Sequence, residues 1–254
     1  MKSPRPLIRI AVTFLLVGLT SPLFAQSLYP DANAYRSEFL VRCSHVRDTE
    51  AHKTWSEGED SRMRIYRGIV KLATGIDAAT GLRYLEDAVN DTSGTWGCFE
   101  TYPFMDAILR LGKKLPRPLV DKIRTRMAAS FTDDFGFTDN HMLQLHTARY
   151  LFGQTWPDGP TFADGQTPRE SQQASAAWIE QWIDSTIARG MYEYDSPNYH
   201  HLYLLCFASL VEYAQDERLR AKSEMIMQVL LVDWASEYLK GNWVGSHSRE
   251  KFNQ

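Results

Sequence analysis

The chain has 254 residues, a formal net charge of −3 and 44% hydrophobic residues, enough for one sizeable core and too few for two large domains. Its 28 Lys and Arg against 31 Asp and Glu leave no basic footprint for nucleic acid. Seven Trp and twelve Tyr serve a core, and the same residue types suit sugar-ring platforms.

Lys2, Arg5 and Arg9 form a basic start, Ile10 to Leu19 is an apolar run, and Leu23-Phe24-Ala25 precedes a cut before Gln26. This pattern reads as a secretory signal peptide over 1–25, leaving 26–254 as a single domain. The apolar run is short for a membrane span, and no second run follows. A periplasmic or secreted protein, with no integral membrane insertion after cleavage, is expected.

Nearly every later segment reads as helix. In chain order the expected helices cover 32–47, 60–75, 78–90, 95–111, 117–131, 139–153, 169–189, 197–215 and 217–239. Periodicity is clearest in the last two. Tyr199, Tyr203, Phe207, Leu210 and Val211 recur at steps of three and four, as do Met227, Leu230, Leu231 and Trp234. Pro116 and Pro118 flank one helix start, and Asp216 is expected to cap another. Gly112, Gly153 and Gly190 are expected to follow helix ends. The stretch 154–168 is rich in Pro and Gly and reads as a loop. No alternating strand pattern with hairpin turns is present. Cys43, Cys98 and Cys206 match no metal spacing, so neither a metal nor another cofactor is implied. Cys98 and Cys206 lie in apolar helical patterns and read as buried thiols, although one disulfide is possible in an oxidising compartment.

The fold class expected is all-α, built of antiparallel helical hairpins. Such hairpins either close into an α/α toroid or stack as a solenoid. In a toroid, inner and outer helices alternate and the inner ones run parallel. With 139–153 inner, 169–189 is outer, 197–215 inner and 217–239 outer, while 95–111 is inner. The two helix starts at Thr138-Asp139-Asn140-His141 and Ser196-Pro197-Asn198-Tyr199 then lie at the same end, each opened by a good N-cap residue. That register gathers Trp96, Glu100, Asn140, His141, Tyr199, His200, His247 and Arg249 around one mouth.

Asn140-His141 at one helix start, followed by Tyr199-His200 ahead of an apolar helix, resembles the toroidal polysaccharide lyases. The likeness is nearest to the alginate lyase family, with its Asn-His and later Tyr-His motifs, and extends to heparinase-type lyases. It covers roughly 138–215. There are departures. Asp139 precedes the Asn-His pair where the family has Asn, Met142-Leu143 follow it in place of an aromatic cluster, and Tyr192 stands near the position of a family Arg. The resemblance implies an incomplete toroid acting on an acidic, uronate-containing polysaccharide or oligosaccharide by β-elimination, without a cofactor.

Elimination requires loss of the C5 proton beside a carboxylate. Asn140 and His141 are expected to hydrogen-bond that carboxylate and stabilise the enolate-like charge, helped by the free N–H groups of a helix's first turn. Tyr199 is expected to move the proton. A free phenol has a pKa of about 10, so a nearby cation is needed, Arg249 first and then His200. Trp96, Glu100, Glu193, His200 and His247 are the expected substrate-binding residues. Two rival readings stand beside this one. A toroidal glycoside hydrolase would use paired carboxylates, with Glu100, Asp133, Asp134, Glu193 and Asp195 the candidates. A non-catalytic carbohydrate-binding or structural helical protein would need none of this chemistry. The expected helices are fewer than a full ring of hairpins needs, so either the ring is open or the chain is the front part of a longer protein.

Overall fold

The structure is a computed structural model that describes residues 61–92, 96–132, 138–196, 199–239 and 242–243, with Ala34, Ser37, Glu38 and Val41. Those four residues are helical and exposed. The rest of the 32–47 segment, the signal-like 1–25, Cys43, and His247 with Arg249 lie outside the described residues.

The defined helices are α1 (Ser61–Thr74), α2 (Ala78–Asn90), α3 (Cys98–Leu111), α4 (Arg117–Ser130), α5 (Asp139–Thr155), α6 (Pro168–Arg189), α7 (His200–Tyr213) and α8 (Glu217–Ser236). A 3-10 turn, Gly112–Lys114, separates α3 from α4. After α8, β1 (Tyr238–Leu239) pairs antiparallel with β2 (Asn242–Trp243). The class is all-α. No helix of the described residues is long and apolar enough to cross a membrane.

Local chemistry sets the helix starts. Thr167 and Glu170 make a reciprocal capping box ahead of α6, with Pro168 in the first helical position. The Asp216 carboxylate accepts from the backbone N–H groups of Arg218 and Leu219 and opens α8. Glu100 reaches back to the N–H of Gly97 at 2.8 Å and closes the start of α3. Gly112 and Gly190 do follow helix ends, both with positive φ. Gly153 does not, because α5 continues to Thr155. Its lack of a side chain serves packing instead: a Cβ there would lie 2.3 Å from the Pro168 carbonyl oxygen and 2.7 Å from Gln172 Cβ.

The described chain, read from the sequence as one domain, packs as two compact units. The first takes α1 to α4 together with 160–165, and the second takes α5 to α8. In the first unit α1 packs on α2, α3 on α4, α1 on α3 and α2 on α4. The second unit repeats the pattern with α5 on α6, α7 on α8, α5 on α7 and α6 on α8. Each unit is therefore two helical hairpins in two layers, the first helix of each hairpin in one layer and the second in the other. Short links such as 75–77 and 214–216 make the hairpins antiparallel.

Two sets of bonds make α5 and α7 parallel. Near their starts, Asn140 and Tyr203 both donate to the Glu193 carboxylate. At their ends, Gln154 donates to the Tyr213 carbonyl at 2.9 Å and accepts from the Gln215 N–H at 2.8 Å. Between them, Leu143, Leu151, Phe152, Tyr203, Phe207 and Leu210 are fully buried, and Trp182 of α6 stacks on Tyr203. Burying each such side chain contributes about 1.5–3 kcal/mol. The 154–168 stretch is a loop from Trp156 onward. Trp156 packs edge-on against Phe152, while Phe162 packs on Phe131 and Ala163 donates to the Ala128 carbonyl in the first unit.

Candidate functional site

Thr138 holds the N-cap position of α5, but its side chain makes no capping bond. The cap comes instead from residue 193. Glu193 Oε2 accepts from the backbone N–H of Asn140 at 3.1 Å, from Asn140 Nδ2 at 2.6 Å and from the Tyr203 hydroxyl at 2.6 Å. Glu193 is wholly buried, so its charge is stabilised by these donors and by the positive end of α5 rather than by water. The first turns of α5 and α7 thus meet on one carboxylate.

This network determines what Asn140 can do. The residue is 1% exposed, and Nδ2 also donates to Thr138 Oγ1 at 3.3 Å. Both amide hydrogens have partners, and Gln144 donates to the Asn140 carbonyl at 3.2 Å. The expected direct contact of Asn140 with a substrate carboxylate is not open in this arrangement. Glu193, expected at the substrate, is likewise closed to it by burial. Tyr203 is fixed as a donor, since burial, and next the bond to Glu193, push its phenol far above the ordinary range.

His141 follows Asn140 on α5, Tyr199 lies four positions before Tyr203, and both are half-buried. Tyr199 occupies the N-cap position of α7, which begins at His200 rather than at 197. Ser196 is not the cap residue. Its backbone carbonyl accepts from the N–H groups of Tyr199 and His200, forming the turn that leads into the helix. His200 is wholly buried and faces α8, where its Nε2–H donates to the Leu230 carbonyl at 3.1 Å and its ring lies 5.2 Å from Trp234. Burial lowers its pKa, so it stays neutral and cannot be the cation a phenolate needs. His146 stacks on Trp178 at 4.3 Å and meets Ser175 Oγ at 3.2 Å.

Trp96 and Glu100 belong to the first unit. Trp96 is 4% exposed, stacked on Phe104 at 4.5 Å under the Arg126 guanidinium at 4.4 Å. It is core, not a cleft wall. Arg126 also donates to the Val89 and Asp91 carbonyls at the end of α2, and Glu100 is held by its capping bond. Among the described residues no three His, Cys, Asp or Glu lie together as a metal site. An open groove of about 610 Å³ runs along α6, lined by Glu180, Gln181, Asp184 and Ser185 among others. Its carboxylates are already paired with Lys222 and Arg218, and it holds none of the candidate residues.

The sequence reading missed Tyr203 as a polar partner, because its spacing marks it as core, and it is both. It named Tyr192, Glu193 and Asp195 but did not foresee that Glu193 is buried as the cap of α5. In the turn 192–195, Glu193 is buried between Tyr192 and Tyr194, which are 77% and 48% exposed. The Tyr192 N–H donates to Asp139 Oδ2 at 3.2 Å, and Asp195 has φ of 46°. A non-glycine residue at positive φ marks a backbone that its surroundings hold in place.

No protein-family model, curated protein or solved structure matches this chain significantly.

Proposed function

We propose that the protein is an exported polysaccharide lyase-like enzyme that cleaves an acidic, uronate-containing glycan by β-elimination, with its reacting groups at the starts of α5 and α7. One observation supports this reading above the others. Two parallel helices begin side by side, joined through Glu193, with His141 on one start and Tyr199 on the other. In this reading His141 neutralises the uronate carboxylate, and Tyr199 moves the C5 proton to the leaving oxygen. Asn140 is a positioning residue, acting through Glu193. Tyr203 and His200 take no part in proton transfer, the one held protonated and the other buried neutral. The toroid resemblance, the exported character read from 1–25 and the alternating layers within each unit agree with the proposal. The hydrolase reading is weaker, because Glu193 has no exposed surface from which to meet a glycosidic oxygen.

The test is ultraviolet absorbance of the unsaturated uronate product. Purified protein is mixed with alginate, polygalacturonate, hyaluronan and chondroitin sulfate, with Tyr199→Phe and His141→Ala in parallel. A rise with one polymer, abolished by Tyr199→Phe and strongly reduced by His141→Ala, is expected. New reducing ends without absorbance, or a Tyr199→Phe enzyme of full activity, would overturn the assignment.

A further inference from the structure

We infer that Tyr192 and Tyr194 form an aromatic platform for the apolar C–H face of a sugar ring, next to the starts of α5 and α7. The inference rests on the glycan-cleaving reading above and adds a binding subsite to it.

Among the other described tyrosines, Tyr84, Tyr102, Tyr150 and Tyr203 are at most 6% exposed, and Tyr66, Tyr199 and Tyr213 are half-buried. Tyr192 and Tyr194 are the exposed pair among the described residues, and they sit two apart on one turn. The turn is fastened at its centre. Glu193 is drawn into the interior by Asn140 and Tyr203, and the Tyr192 N–H is tied to Asp139. Asp195 closes the turn with positive φ. Burying the residue between two rings while both rings face water fixes the backbone that carries them. Rings carried on a fixed backbone lose less entropy on binding than rings on a mobile one. A phenol ring offers a flat face of negative potential that attracts polarised C–H groups, and its hydroxyl bonds to sugar hydroxyls. Three neighbouring carboxylates, of Asp139, Glu193 and Asp195, make the turn unfit for a uronate carboxylate. The platform therefore takes the uncharged face of a ring, leaving the carboxylate to the His141 side.

The experiment is native gel electrophoresis through alginate, polygalacturonate, hyaluronan or chondroitin sulfate, run beside the elimination assay. Wild-type protein should be retarded by at least one polymer. The Tyr192→Ala/Tyr194→Ala double variant should bind about tenfold more weakly, the effect of losing two ring contacts. The Tyr192→Phe/Tyr194→Phe variant, which keeps both rings, should retain most of the retardation. Equal retardation of the Ala variant and wild type would overturn the platform, as would a wild type retarded by none of the polymers. Elimination activity with unchanged KM in the Ala variant would overturn the platform and leave the lyase standing. Retardation lost in the Ala variant, with no elimination on any polymer, would uphold the platform and remove the lyase.

Discussion

Glu193 is the residue on which the second unit turns. An anion at a helix N-terminus is ordinary, but here the cap lies 53 positions along the chain from the N–H it serves. Sequence reading found both partners and assigned them to substrate because nothing local connects them. The histidines divide by environment in the same way. Burial, and next the charge of Arg149, hold His146 down to about 3 from an ordinary 6.5. It is neutral in the folded protein, whereas the unfolded chain binds a proton below about pH 6.5. The stability it contributes is therefore complete above that pH and is lost as pH falls toward the folded value. His200 is shifted in the same direction. Urea unfolding of wild type and His146→Phe should diverge between about pH 6.5 and pH 4, wild type losing roughly 1–3 kcal/mol more. Parallel curves would contradict a neutral buried imidazole.

At the scale of elements, periodicity and punctuation were legible because they are local. Pro116-Arg117-Pro118 starts α4, Asp216 caps α8, and of the apolar spacing of α7 and α8, Tyr203, Phe207, Leu210, Val211, Met227 and Leu230 are buried. What sequence could not resolve was a glycine's purpose. Gly153 reads as a helix end and instead lets α6 cross against α5 at close range. Alanine is the better helix former by about 1 kcal/mol, so a purely local view expects Gly153→Ala to stabilise. The contact with the Pro168 carbonyl reverses the sign, since backbone cannot move aside cheaply. Thermal unfolding should show Gly153→Ala destabilised by about 1–3 kcal/mol. A raised melting temperature would mean that the two helices do not approach at this point. The α7 start was misjudged for a related reason: Ser196 is a good cap by type, yet its carbonyl closes a turn and Tyr199 takes the cap position.

At the scale of the whole molecule, antiparallel hairpins were legible from helix lengths and short links, and each unit has two. The expected single mouth was less so. Trp96 went to the core of the first unit because a large apolar ring gains more from Phe104 and Arg126 than from water. What remains of the site lies within the second unit, where the two hairpins are joined at one end by Glu193 and at the other by Gln154. Everything assigned to His141, Tyr199 and the tyrosine turn depends on that first junction. The most direct measurement is a double-mutant cycle in urea with Asn140→Ala and Tyr203→Phe, each removing one donor from the same carboxylate oxygen. The two effects should be non-additive, with a coupling of about 1 kcal/mol or more, as for members of one buried network. Additivity within about 0.5 kcal/mol would mean that the starts of α5 and α7 do not share Glu193 and form no common site.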